Sequence, residues 1–438
     1  MKKREFLALS GAAPLMLAGC GSSSGGSAQL RLVNVSVGYP TLDLTVSATS
    51  TSTATTVAAA VAYGTASAFA GVGASSQSTT LVDATATPSV NVSTQTRTLL
   101  KDTTYSLIAY GYKDGAKSVL ITESQTAPAV GFASISVLNT AIDVGPVDVY
   151  FTTGPDISTA SPVATRVTAV SASAFNAVSK GTYTITIVAY GTGASGNPDI
   201  RLQVSGVTLA DQQIATLIIA PGDGGVLAHA VLLNQGGDAV NFRNTQARVR
   251  VVAATGNGGT VAVAGLLAST AVVPSYTTYR QIAAGALPAV TVDGATISYP
   301  AGATALAAGA DYTILIYGDH AAAQINLITD VNRLPSSSSA AKVSLLHALF
   351  NNSALLTLNL NSTAADTDVA YGTASLYTEV TPKVTSSTQL LEVTTGAFDT
   401  VLSKQVGMDV GGVYTLFVVG DDSLPLHAGV LSYLAPSR

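Results

Sequence analysis

The sequence predicts an all-β chain built from four tandem sandwich units. Three observations carry this. Apolar and polar residues alternate with period two over short stretches, a pattern of about one hundred residues recurs along the chain, and no sustained helical period appears beyond the N-terminal segment. Alternation, β-branched enrichment and closely spaced Gly, Pro, Asn and Asp read as antiparallel strands joined by turns.

The first element in order is not a strand. Lys2, Lys3 and Arg4 precede an apolar stretch, Phe6 to Ala18. It is too short for a hydrocarbon core of about 30 Å, which needs roughly 20 residues, so it predicts a signal peptide and not an anchor. Leu17-Ala18-Gly19-Cys20 ends the stretch with the chain's one cysteine. The run resembles that of bacterial lipoproteins, whose Cys thiol takes a diacylglycerol before cleavage. The resemblance implies residues 1–19 as signal peptide and Cys20 as lipid attachment site and first mature residue. One acyl chain holds a protein only marginally and two or three hold it firmly, so a triacylated Cys20 would bind a membrane unaided. Lys3-Arg4-Glu5-Phe6-Leu7 resembles a twin-arginine signal whose first Arg is Lys, and Gly21 after the cysteine resembles lipoproteins sorted to an outer membrane. Residues 20–28 form a Gly/Ser linker.

Each unit then opens with an apolar strand ending in a polar or small residue: Leu32-Val33-Asn34, Val137-Leu138-Asn139, Val251-Val252-Ala253 and Leu346-His347. A second alternating strand follows at Leu42-Asp43-Leu44, Val147-Asp148-Val149, Val261-Ala262-Val263 and Leu356-Thr357-Leu358. Tyr63-Gly64-Thr65-Ala66-Ser67-Ala68-Phe69 returns as Tyr371-Gly372-Thr373-Ala374-Ser375-Leu376-Tyr377, with Phe175 and Tyr279 at the same aromatic position in the other units. Near each unit's end stands a strand closed by glycine: Tyr105 to Gly111, Ala215 to Gly222, Tyr312 to Gly318 and Tyr414 to Gly420. Tyr183 to Ile187 is more conspicuous but breaks the spacing if placed there.

About seven short strands per hundred residues suggests immunoglobulin-like β-sandwiches, with Val, Ile, Leu and the Tyr/Phe positions facing inward. Breaks in the pattern place the units at 29–128, 129–240, 241–338 and 339–438. The strand ending in Asn or His, Val147-Asp148-Val149-Tyr150, the Tyr-Gly-Thr-Ala-Ser stretch and the Tyr-Thr strand closed by Gly are similar to the family called domain of unknown function 4397. That family occurs in bacterial envelope and secreted proteins, and it lends no activity and no functional residue.

Composition bounds the function. Charged residues are 10% of the chain, against about 25% in an average soluble protein. Removing residues 1–19, which carry net +2, takes the net charge from −5 to −7. No basic patch survives, which argues against nucleic acid as a partner. With Cys20 acylated no disulfide is available, so each unit rests on its hydrophobic core.

Candidate sites are few. Gly191-Thr192-Gly193-Ala194-Ser195-Gly196 has the dinucleotide-binding spacing, but that motif works only when a helix starts at its glycines. The alternating Ile200 to Val204 follows instead, so a hairpin loop is expected. His229, His347 and His427 stand at repeat positions, where hydrogen bonding to a turn is expected, since zinc catalysis needs about three converging ligands. The shared position of His229 and His427 hints that the chain grew by duplicating a pair. Asp223, Asp319 and Asp421-Asp422 follow the closing glycines without calcium-loop spacing and read as turn acids. No G-x-S-x-G elbow occurs beyond the Gly/Ser linker.

The expectation is a non-enzymatic envelope lipoprotein, held on an outer membrane by its N-terminal lipid, with no catalytic, metal or cofactor site. It would act by surface display, adhesion, or binding of an envelope or extracellular protein or a carbohydrate. The other reading is an accessory lipoprotein of an envelope enzyme or transport system, or a hydrolase with a loop-built site.

Overall fold

The computed structural model describes residues 26–438 apart from 49–51, 114, 194–197, 272, 383–387 and 398. The signal peptide and Cys20 lie outside the described residues. Strands dominate. The helices among the described residues are three short 3-10 turns, Ile142–Val144, His320–Ala322 and Pro425–His427, and none of these is long and apolar enough to cross a membrane.

In the first unit, the opening strand Ser27–Asn34 pairs with Thr104–Tyr110 at the centre of one sheet. Lys117–Thr122 extends that sheet on one side, and the short strands Thr65–Ala66 and Ala70–Gly73 on the other. The second sheet runs Thr55–Ala62, Thr41–Ser47, Ser76–Asp83, Val90–Thr98. The same two sheets recur in the other units, opened by Phe132–Asn139, Gln246–Gly256 and Ala341–Phe350. Tyr183 to Ile187 falls in Gly181–Ala189 of the second unit's second sheet, away from the glycine-closed position.

Two details correct the expectation. The opening strand runs parallel to the glycine-closed strand in all four units, where antiparallel pairing was expected. The whole second sheet is threaded between the two, and a long crossover is the connection that parallel neighbours require. The second unit also carries an extra strand, Ala239–Phe242, on Ala228–Asn234. Its sheet therefore passes residue 240.

Each sandwich has its own apolar core, such as Leu30, Leu32, Leu42, Leu44, Leu81 and Leu107 in the first. Tyr105, Tyr312 and Tyr414 enter three of these cores. Their hydroxyls accept from the backbone N–H of Leu100 (3.1 Å), Ala307 (3.0 Å) and Asp409 (2.9 Å), five residues upstream each time. This tyrosine-corner contact pins the approach to the glycine-closed strand. The second unit has Ala215 there, and the upstream N–H of Ala210 donates instead to Oε1 of Gln213 at 2.7 Å.

The opening sheets are buried on both faces. Alternate residues of Ser27–Asn34 serve the unit's own core, while Val33 and its neighbours Val35, Ile108 and Tyr110 pack against Leu138, Ile218, Ala220, Val231 and Leu233 of the second unit. The third and fourth units join the same way, through Val252, Ala254, Leu315, Leu346, Ala348, Phe417 and Val419. Units one and two are thus a fused pair, and units three and four another. Contacts between the pairs are polar: Gly224 N–H to Gly309 O (3.0 Å), Asn332 N–H to Gly224 O (3.0 Å) and Leu334 N–H to Oδ1 of Asp143 (2.8 Å).

Candidate functional site

One residue of the opening strand is an arginine facing the neighbouring unit. Arg31 is buried, and its guanidinium reaches Oε1 of Glu123 at 2.6 Å. Nε also donates to Oγ of Ser106 (2.7 Å), Nη2 to the Asn234 carbonyl of the second unit (3.0 Å), and the group covers the Phe69 ring at 4.5 Å. Arg250 repeats the arrangement in the third unit. Nε donates to Thr313 Oγ1 (2.7 Å) and Nη2 to Thr415 Oγ1 of the fourth unit (2.8 Å); Asp330 stands 3.6 Å away, with Tyr279 and Phe417 beneath. Each pair of units is therefore riveted by a buried arginine of its opening strand, joined in the second pair by Arg248, whose Nη2 donates to the Ser437 carbonyl at 3.4 Å, and a buried charge is tolerated only when paired and hydrogen-bonded. Phe69 and Tyr279, expected to face inward, belong to these rivets and not to the sandwich cores.

Next to the second rivet the chain forms a cleft of about 840 Å³ where units two, three and four meet. Arg248, two residues before Arg250, donates from Nη1 to Oδ2 of Asp311 at 2.9 Å and lies 4.4 Å over Tyr279. Asn332 Nδ2 donates to the same Asp311 oxygen (2.7 Å), and the Asn332 carbonyl accepts from Nη1 of Arg438 at 2.9 Å. Arg201 closes on Asp199 at 2.6 Å. Burial pushes the Asp311 carboxyl up to about 6, against the pull of Arg248. Burial, opposed by Asp143 and aided by the like charges of Arg201 and Arg248, draws Arg438 down to about 10. Arg438 still carries its charge at neutral pH, so guanidinium groups converge here in an otherwise acidic chain.

The residues singled out in the sequence take structural places. Asn34 and Asn139 are fully buried; each donates from Nδ2 to one loop carbonyl and one strand carbonyl and accepts from the N–H two residues on. His347 makes the equivalent contacts, with Nε2 3.2 Å from Ala354 O and Nδ1 accepting from Leu349 N–H (3.3 Å). His229 Nδ1 accepts from Asn244 N–H at 2.9 Å. Burial draws both His229 and His347 down to about 4, so each is neutral. His427 lies 2.6 Å from Asp422 in the 3-10 turn Pro425–His427, whereas His229 sits within the strand Ala228–Asn234, so the two do not share the repeat position expected of them. Asp319 and Asp421 accept from the turn amides of Ala321 and Ser423 and from Asn257 and Asn351. The Asp223 carbonyl accepts from Arg333. Gly191 and Thr192 belong to the hairpin between Gly181–Ala189 and Ile200–Leu209, with Gly191 N–H donating to Asp148; residues 194–197 of that loop lie outside the described residues.

One contact has the look of catalysis. Lys404 Nζ donates to Ser432 Oγ at 2.7 Å, and burial lowers the lysine's pKa, as a serine–lysine dyad requires. The repeat argues otherwise. In the first unit Arg97 Nη2 donates to Ser118 Oγ at 2.8 Å between the corresponding strands, and a guanidinium is never a base at neutral pH. Both are struts joining the two sheets.

Sequence reasoning missed the arginine rivets because Leu30-Arg31-Leu32 and Arg248-Val249-Arg250-Val251 alternate as a solvated strand would. The usable signal was the acid at the matching place at the end of the last strand of the same units, Glu123 just after Lys117–Thr122 and Asp330 closing Gln324–Asp330.

The family model described as "Domain of unknown function (DUF4397)" matches residues 28–150, which is the first unit and the start of the second. No functionally curated protein matches. Among solved structures, the crystal structure of a leucine-rich repeat protein from Bacteroides thetaiotaomicron aligns at 14% identity over 44% of this chain, with a TM-score of 0.13. The aligned region spans 26% of that protein's chain, and an overlap this low carries no argument.

Proposed function

We propose, with residues 28–150 matching the model of domain of unknown function 4397, that this chain is a lipid-anchored envelope protein that binds or displays and does not catalyse. The observation that carries the reading is the fusion of the units into pairs. The opening sheets are consumed by packing against each other within each pair, which leaves the second sheets and their loops as the faces not used in pairing. Repetition of this kind multiplies a surface at fixed spacing, and a multiplied surface gains by avidity where a catalyst gains nothing. Cys20, through its lipid, is the tether; the Gly/Ser run behind it is the leash. The outer membrane is the membrane proposed, on the strength of Gly21 following the cysteine.

The test is fractionation of cells producing the wild type and Cys20→Ala, followed by protease treatment of intact cells. Wild-type protein in the membrane fraction, Cys20→Ala released from it, and cleavage of surface-exposed chain on intact cells are expected. Membrane retention of Cys20→Ala would remove the lipid tether. Full protection from external protease, with no envelope partner recovered on cross-linking, would remove display.

A further inference from the structure

The cleft between units two, three and four is made by the assembly and by no single repeat. Pro198 to Ile200 come from unit two, Arg248 and Thr278 to Gln281 from unit three, Pro436 and Arg438 from unit four. Three of the ten lining residues are arginines, in a chain with only 20 Lys and Arg among 438 residues and a net charge of −5. One lining acid, Asp199, is already matched by Arg201, which stands behind it. Arg248 is matched by Asp311. Arg280 is exposed and makes no ion pair among the described residues, and the Arg438 contact is to a neutral carbonyl. Arg280 thus faces the cleft without a carboxylate partner, and Arg438, though it feels the charge of Asp143, forms no close ion pair among the described residues.

We propose that this cleft binds a ligand through its phosphate or carboxylate groups, with Arg280 and Arg438 as the guanidinium forks that hold them. The planar fork matches both oxyanions in bidentate geometry, which a lone ammonium does not. Tyr279 does not serve as a stacking platform, because Arg248 and Arg250 already lie against its ring at 4.4 and 4.7 Å. A neutral sugar therefore finds no aromatic face, and charge is the feature on offer. The volume of about 840 Å³ admits a ligand larger than a single inorganic ion. The proposal deepens the binding reading above and rests on it, by naming the chemistry of one ligand class.

The test is calorimetric titration of the full mature chain with pyrophosphate, with citrate and with neutral maltotriose, at low and at high salt. Saturable binding of pyrophosphate or citrate is expected, weakening with salt, and none of maltotriose; the two anions separate phosphate from carboxylate preference. Arg280→Glu should cost about tenfold or more in affinity, as loss and reversal of one charge-assisted contact. Arg280 is exposed and unpaired by any acid, so this variant is expected to keep the wild-type melting curve. Lys117→Glu, the same charge change on an exposed residue of the first unit, should bind as wild type. The proposal is overturned if neither anion binds, or if Lys117→Glu loses as much affinity as Arg280→Glu. Such a failure would leave the fractionation and protease results above untouched.

Discussion

Replacing Arg31 with Met tests the rivet between the first two units. The side chain's volume is largely kept, so the change removes charge and hydrogen bonds more than packing. Arg31 would give up the 2.6 Å contact to Glu123, the bond to Ser106 and the bond to the Asn234 carbonyl of the second unit. Glu123, with a side chain only 5% exposed, would be left without its countercharge. Breaking one side of a buried pair costs about 3–5 kcal/mol. The lower figure applies, because Glu123 keeps donors in Ser106 Oγ and the Gly236 N–H at 2.6 Å. About 3 kcal/mol in a cooperative body of roughly 200 residues lowers its Tm by about 6–12 °C. Differential scanning calorimetry of the mature chain should show that shift in the transition of the first pair and little change in the second. Arg31→Met/Glu123→Leu should recover much of the loss, since the orphaned charge is gone. A shift below about 1 °C for the single variant, or equal shifts in both transitions, would refute the assignment of Arg31 as a paired buried charge specific to this interface.

Other outcomes follow from the same structure. His229 and His347 are held neutral with pKa values near 4 in the fold, against about 6.5 unfolded. Each therefore contributes stability present above pH 6.5 and lost as pH falls toward 4, up to roughly 3 kcal/mol apiece. Asp311, raised to about 6, works in the opposite sense: it favours the fold at low pH and loses that contribution as pH rises through 6. Asp366, raised by burial, acts with Asp311, while Asp293, Asp319 and Asp421, held low by hydrogen bonds, act with the histidines; Tm should therefore fall on acidification from pH 7 to 4.5, and His347→Asn, which restores the residue of the first two units, should flatten the profile. An unchanged slope would contradict the burial argument. Lys404→Arg should leave the melting curve as it is, because Arg97 fills that role in the first unit; labelling of Ser432 by a serine-directed fluorophosphonate would instead favour a dyad. Gly372 has φ +77° and a Cβ there would meet the Tyr317 ring at 2.3 Å. Gly372→Ala should destabilise by about 2 kcal/mol or more, and a melt equal to wild type would mean the motif glycine is dispensable.

Much of the fold was legible because a sandwich strand writes its burial into period-two alternation, and four copies allow weak signals to be aligned. The opening strands, the glycine-closed strands and the misplaced Tyr183 to Ile187 were all assigned on spacing. Direction is a different matter. Side-chain alternation is the same for a parallel and an antiparallel neighbour, so the parallel pairing of Ser27–Asn34 with Thr104–Tyr110 left no mark. The pairing of units was not legible: equal spacing of His229 and His427 from a glycine does not give them one place in the fold, and the faces that meet, Val33 against Leu138 and Ile218, look like the other side of any apolar strand. The cleft was not legible at all. Arg248, Arg280 and Arg438 are far apart in sequence, and only the docking of one pair on the other brings them to one place.

The most direct measurement of the central claim, that the units are fused in pairs, is the unfolding of fragments. Residues 26–242, the first pair, should fold and melt in one cooperative transition. Residues 129–242, the second unit alone, would expose Leu138, Ile218, Val231 and Leu233. At about 1.5–3 kcal/mol each, their loss is roughly 6–12 kcal/mol, comparable to a domain's whole net stability. The account predicts that this single unit gives no cooperative melt. A single unit that melts as sharply and at the same temperature as the pair would contradict it.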